Sequence, residues 1–212
     1  MCWDVGCGSG QASVDLAEVF ERVHATDLAA GQVAEAKPHP RVTYQARPAH
    51  DSGLPDGSAD AVCAAQAVHW FDVPEFHAEA RRVAAPGAVA VFWSYAFHRS
   101  GDAAVDAVMR RFGREVLGPY WRPELRTVWD RYASLKFPFR KELETPRLHH
   151  DLDWSLPELV GYWSSWSAWK AYEKERGASP LAEVAGELRA AWGAPGTKRT
   201  LRAELGLRAG LI

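Results

Sequence analysis

Three glycines at alternate positions, Gly6, Gly8 and Gly10, mark the stretch of this 212-residue chain best suited to chemistry. Glycine has no Cβ and tolerates positive φ, so such a loop lets main-chain amides approach a ligand closely. Asp27 follows about 20 residues later, where a carboxylate is placed to accept hydrogen bonds from both hydroxyls of a ribose. Asp27 could equally cap a helix over Ala29–Lys37. Farther along, the string Gln66-Ala67-Val68-His69-Trp70-Phe71-Asp72 carries a titratable imidazole beside a flat apolar ring. His69 can orient a reactant by a hydrogen bond or take its proton, and Trp70 can wall a pocket or fill a core. The chemistry indicated is that of a nucleotide-like cofactor next to a small reactant.

The glycine spacing narrows the cofactor. A dinucleotide fingerprint, G-x-G-x-x-G, needs a third glycine at position 11, which is Gln11. A phosphate loop needs a lysine after its last glycine, and none follows.

These residues need strands that end beside one another. An apolar end at Trp3–Val5 enters the glycine loop, and Leu16, Val19, Phe20 and Val23 recur at helical spacing behind it. Val23–Thr26 reads as a strand ending at Asp27, and Arg41–Ala46 as the next. Arg47–Ser58 is dense in turn residues. Ala59–Ala65 is a nearly continuous apolar strand, as required where both faces of a sheet are covered. It delivers Gln66 and His69 to the carboxyl edge, where open α/β sheets bind ligands. A helix with Pro74 in its first turn and a strand over Ala88–Tyr95 complete the alternation.

After Arg99 helices dominate. Ala103–Leu117 presents Val105, Val108, Met109, Phe112 and Val116 as an apolar stripe. Leu125–Leu135 reads as a helix and Phe139–Leu148 as a sixth strand. Ser155 caps a helix continuing through Leu159–Trp169, Leu181–Trp192 is another helix, and Thr200–Ile212 is a closing strand. Tyr162, Trp163, Trp166 and Trp169 account for part of a content of 10 Trp, and at that spacing they make a core or an interface more readily than a pocket. His149-His150-Asp151 is not read as a metal site, because adjacent strand residues point to opposite faces.

The string Asp4-Val5-Gly6-Cys7-Gly8-Ser9-Gly10 resembles the first motif of class I methyltransferases that use S-adenosylmethionine. Residues Trp3 to Tyr95 as a whole resemble the methyltransferase-11 type, and A-x-x-H-W-F after the fourth strand is similar to that of fungal trans-aconitate methyltransferases. The resemblance implies an α/β Rossmann-like fold: a mostly parallel seven-stranded sheet, helices on both faces and a helical substrate cover. It implies one domain over 1–212, with a cofactor half in 1–98 and the cover plus closing strands in 99–212.

For the site it implies that Gly6, Gly8, Ser9 and Gly10 hold the methionine end, with Asp4 fixing the loop or the amino group. Asp27 and Leu28 would meet the ribose side, Ala49 and His50 would pass the adenine, and Gln66 would bring backbone toward the methionine. His50 stands where the family commonly has Glu. The reaction implied is methyl transfer to a small-molecule acceptor, with His69, Trp70 and Tyr95 as the catalytic set and His98 as a further base if the acceptor needs one. A carboxylate acceptor would need none.

Relatives usually carry helices ahead of the first strand; either this chain dispenses with them or its assigned start lies inside a longer reading frame, which we favour. Rival readings are a nicotinamide-dependent oxidoreductase, disfavoured by Gln11, and a non-catalytic module binding through its tryptophans. A net charge of −2 gives no electrostatic reason for a nucleic-acid or membrane partner, and three cysteines without a C-x-x-C fit a reducing cytoplasm. A monomer or homodimer is expected.

Overall fold

The computed structural model describes residues 1–136 and 139–212. Strand β1, Cys2–Val5, is wholly buried. It runs parallel to β2, Val23–Asp27, on one side and to β4, Ala59–Ala65, on the other, with Trp3 opposite both His24 and Val62. β3, Val42–Ala46, lies parallel beyond β2, and β5, Ala84–Tyr95, parallel beyond β4. β6, Lys141–Leu143, pairs antiparallel with β8, Arg199–Leu211. The continuous order β3-β2-β1-β4-β5-β8-β6 supplies the seven strands expected, and β7, His149–Trp154, adds an eighth against β8.

The chain divides into two compact units. The first comprises Met1–Ser94, Asp130–Arg147 and Gly206–Ile212; the second comprises Tyr95–Trp129 and Leu148–Leu205. In the first, Trp3 and Phe92 pack against Phe76 of helix α3, Val73–Val83. α3 starts as its sequence dictates: Asp72 accepts the Glu75 amide at 3.2 Å, and Pro74 occupies the first turn. Its Glu79 fastens the 47–58 loop by accepting from Ser52 N and Oγ at 2.8 and 2.5 Å. Burial alone would push the Glu79 carboxyl up; hydrogen bonds from Arg82 and Ser52 outweigh that and bring it down to about 2.

The second unit holds α4, Ala103–Arg111, continued by a wider turn over Phe112–Val116, then α6, Leu156–Ser164, α7, Ser167–Arg176, and α8, Ala185–Trp192. Trp163 stacks on Phe112 at 4.3 Å, and both lie in one core with Trp169, Leu188, Trp192 and Leu201. The tryptophan stripe is therefore core. Ser155 and Glu158 form a reciprocal capping box at the start of α6.

Five expectations are corrected. α1 covers only Gln11–Leu16, so Val19 falls in the following turn and is 78% exposed. α2 is Ala30–Ala34, ending well before Lys37. The helix expected over Leu125–Leu135 is α5, Arg126–Trp129, because Arg131 and Tyr132 take φ of 59° and 62°, which no right-handed helix accommodates. The strand expected over Phe139–Leu148 is instead the three-residue β6, and the longer pairing starts at His149. The Leu159–Trp169 helix also breaks, at Ser165 and Trp166 between α6 and α7. No helix among the described residues is long and apolar enough to cross a membrane.

Candidate functional site

The carboxyl ends of β1, β2 and β4 meet in the first unit. Gly6 and Cys7 donate their amides to Thr26 O at 2.7 and 3.0 Å, locking the loop to β2. Gly10 N donates to Cys7 O at 2.9 Å and closes the turn ahead of α1. All three glycines have positive φ, at 71°, 56° and 84°, but their surroundings differ. A Cβ on Gly6 would stand 2.4 Å from Ala67 Cβ, and one on Gly10 would stand 2.4 Å from the Tyr44 hydroxyl. At Gly8 the nearest atoms are side-chain oxygens of Gln32 and Gln11, 3.9 and 4.0 Å away. Packing therefore demands the outer glycines, whereas the middle one faces open space beside half-exposed Ser9.

Asp27 engages this loop. Its Oδ2 accepts from Gly8 N at 2.8 Å and its Oδ1 from Ala29 N at 2.8 Å. A carboxylate has about four lone-pair sites, so two further hydrogen bonds can be accepted there. Leu28 beside it is 77% exposed. Arg47 N donates to Asp27 O at 2.9 Å, seating the loop with Ala49 and His50 next to the end of β2. His50 itself is exposed, its Nδ1 3.4 Å from Glu75 Oε2.

Behind the loop lies Asp4, fully buried. Its Oδ2 accepts from Ser13 Oγ at 2.6 Å, while Oδ1 has no protein partner. Burial pushes its carboxyl up to about 6, the Ser13 hydroxyl pulling the other way and nearby Asp27 adding to the rise.

At the end of β4, Gln66 takes a left-handed φ of 52° and donates its amide to Trp93 O at 2.8 Å. For a residue with a Cβ this conformation is strained, and it turns the chain into the short helical turn Val68–Trp70. Ala67 and Phe71 press against Gly6, so this turn and the glycine loop are neighbours. Trp70 is 45% exposed, its ring 4.7 Å from that of His69. His69 Nδ1 lies 3.0 Å from the Tyr132 hydroxyl. Tyr132 is completely buried, and burial holds its phenol well above the usual range against the opposing pull of the His69 and Val68 main-chain amides.

Tyr95 belongs to the second unit, where its ring packs against His98 and His150. His98 Nε2 lies 3.2 Å from His150 Nδ1, and burial together with His150 pushes His98 down to about 4. That makes it a poor proton acceptor. His149 is exposed and His150 half-buried, as alternation along β7 requires.

Residues 3–92 match the methyltransferase domain model of the Methyltransf_11 type. A Dictyostelium discoideum protein assigned as a methyltransferase is 34% identical over 189 residues, which cover 85% of this chain and 69% of that protein. The chain belongs to the class I S-adenosylmethionine-dependent methyltransferases. A solved structure from Anaeromyxobacter dehalogenans, assigned as a type II methyltransferase, superposes with a TM-score of 0.91 at 48% identity, covering 99% of this chain and 88% of that one. The Aspergillus candidus methyltransferase cfoB is 30% identical over 64% of this chain and 49% of its own length.

The residues of this methyltransferase fit the cofactor. The orphaned Asp4 oxygen suits a cationic amino group, the open side of Gly8 admits close approach, and Asp27 retains capacity for two hydroxyl donors. Sequence reasoning missed Tyr132. It lies 63 residues from His69, and no local pattern links them.

Proposed function

We propose that this methyltransferase transfers its methyl group to an ionised carboxylate of a small molecule, using His69 as an orienting hydrogen-bond donor and Trp70 as an apolar wall. When bound, the cofactor supplies a methyl carbon already activated by its cationic sulfur. The chain's task is then to align the acceptor and exclude water. Asp4, Gly6, Gly8, Ser9 and Gly10 hold the methionine end, Asp27 and Leu28 the ribose side, Ala49 and His50 the adenine, and Gln66 directs backbone toward the methionine. These cofactor contacts all fall within residues 1–98.

One observation carries the acceptor class. The imidazole at the end of β4 meets a buried phenol, its Nδ1 lying 3.0 Å from the Tyr132 hydroxyl, a contact suited to orienting the ring. An oxygen already ionised at neutral pH needs no base, whereas a hydroxyl does. The test is transfer of labelled methyl to a panel of mono-, di- and tricarboxylic acids and their matched alcohols and amines. Base-labile methyl esters are expected; methylation confined to alcohols or amines would overturn the reading.

The Asp4 carboxyl gives a second expectation. Its folded-state value near 6 means that it is protonated below that pH and must ionise to pair with a cationic amino group. Affinity for S-adenosylhomocysteine should therefore rise as pH increases through about 6, approaching tenfold per pH unit on the acid side. Calorimetry between pH 5 and 7.5 checks this, and Asp4→Asn should flatten the profile.

A further inference from the structure

Every hydrogen-bonding group of Ser52 is engaged, although Ser52 lies in a stretch with neither helix nor strand. Its amide and its hydroxyl both donate to Glu79 Oε1, at 2.8 and 2.5 Å. The hydroxyl also accepts from Leu54 N at 3.0 Å. Its carbonyl oxygen lies 2.8 Å from His24 Nε2. A carbonyl oxygen only accepts, so that ring nitrogen carries a hydrogen and donates. Ser52 is completely buried, and Glu79 and His24 are 7% and 8% exposed.

The two partners come from elements that are themselves fixed. His24 belongs to β2, level with Trp3 of β1. Glu79 belongs to α3, where Arg82 donates to its Oε2 from Nε at 2.7 Å and to its Oε1 from Nη2 at 2.6 Å. The same guanidinium reaches Asp56 Oδ1 at 2.6 Å and Leu54 O at 2.8 Å, tying the run from Ser52 to Asp56 to α3. Ahead of Ser52, Arg47 N is bound to Asp27 O, and Asp51 N closes a turn on Pro48 O at 3.2 Å. Ala49 and His50 are therefore held between two anchors, the end of β2 and Ser52. All of these residues lie in the first unit. Burying an imidazole and a carboxylate costs desolvation that an apolar contact would avoid. What directional bonds add is a single position for the backbone they hold.

We propose that Ser52 is a positioning residue for the cofactor's adenine, set by His24 and Glu79 so that Ala49 and His50 need no ordering when the ligand binds. Their adenine role is the one proposed above, and the assignment of Ser52 rests on it. A loop that is already ordered binds more tightly, because the cost of ordering it does not fall on the complex.

The test compares, by calorimetry on the full chain, affinities for S-adenosylhomocysteine and for S-ribosylhomocysteine, the same molecule with a hydroxyl in place of adenine. Ser52→Ala loses both bonds of the hydroxyl, and His24→Phe loses the donor while keeping a ring. Each should weaken S-adenosylhomocysteine about tenfold and leave S-ribosylhomocysteine within about twofold. His24→Gln, which restores an N–H donor, should recover most of the loss. In the wild-type chain the Ser52 amide should be protected from hydrogen exchange to the same degree as the amides of β2, with or without S-adenosylhomocysteine. A Ser52 amide that exchanges freely until ligand is added would overturn the proposal even if no variant folds. Equal losses for the two ligands would also overturn it, since a merely structural role moves both, and so would variants that bind both as wild type does. A wild-type chain that binds the two ligands alike would instead remove the adenine from this loop, and the role of Ser52 with it.

Discussion

Gly8→Val should give a folded protein that no longer binds S-adenosylhomocysteine, whereas Gly6→Val should not reach the native state. Both positions have positive φ, so valine pays backbone strain at either, on the order of 1–3 kcal/mol. What separates them is the direction of the new side chain. At Gly6 it meets Ala67 Cβ at 2.4 Å, part of the turn that carries His69, and a backbone must move. At Gly8 it enters open space on the side left to the ligand, and Asp27 still pins the loop through the Gly8 amide. Loss of affinity by about a hundredfold or more, roughly 2.7 kcal/mol, is expected for Gly8→Val. Circular dichroism and calorimetry on both variants check the contrast. A folded Gly8→Val chain with wild-type affinity would remove the loop from the cofactor site.

The second large effect is on stability. Trp163 is 1% exposed and stacks on Phe112 with the rings 23° from parallel, in the middle of the second unit's core. Trp163→Ala removes one of the core's buried tryptophan rings and leaves a cavity that rigid helices cannot close, at a cost of about 3–5 kcal/mol. Denaturant unfolding should show this, while Val19→Thr, at a position 78% exposed, should stay within about 0.5 kcal/mol of wild type. Equal effects at the two positions would mean that the tryptophan stripe is not core.

What could be read from the sequence was set by local physics. Ala59–Ala65 is a strand because an apolar run buried on both faces has few alternatives, and its limits match those expected. Ser155 begins α6 because its hydroxyl and Glu158 satisfy the first turn within four residues. Misread stretches depend on distant partners. Nothing between Leu125 and Leu135 says that Gly206 and Arg208 will hold Arg131 and Tyr132 in a left-handed turn. Likewise β6 is short and β7 longer because β8 selects their register, not because of their own composition. Val19 keeps helical spacing, yet the chain has already turned toward β2.

The site divides the same way. Gly6, Gly8, Gly10 and Asp27 were legible because a motif fixes their spacing, and the structure then assigned different tasks to glycines that look alike. The oxygen of Asp4 without a partner and the hydroxyl behind His69 were invisible, since each depends on burial and on contacts across the sheet.

The most direct measurement is titration calorimetry of S-adenosylhomocysteine into the 212-residue chain, beside Asp27→Ala. Micromolar binding that weakens by about a hundredfold in the variant is predicted, because the carboxylate both anchors the Gly8 amide and has capacity left for two hydroxyls. A folded wild-type chain that binds nothing, or an Asp27→Ala chain that binds equally well, would contradict the account.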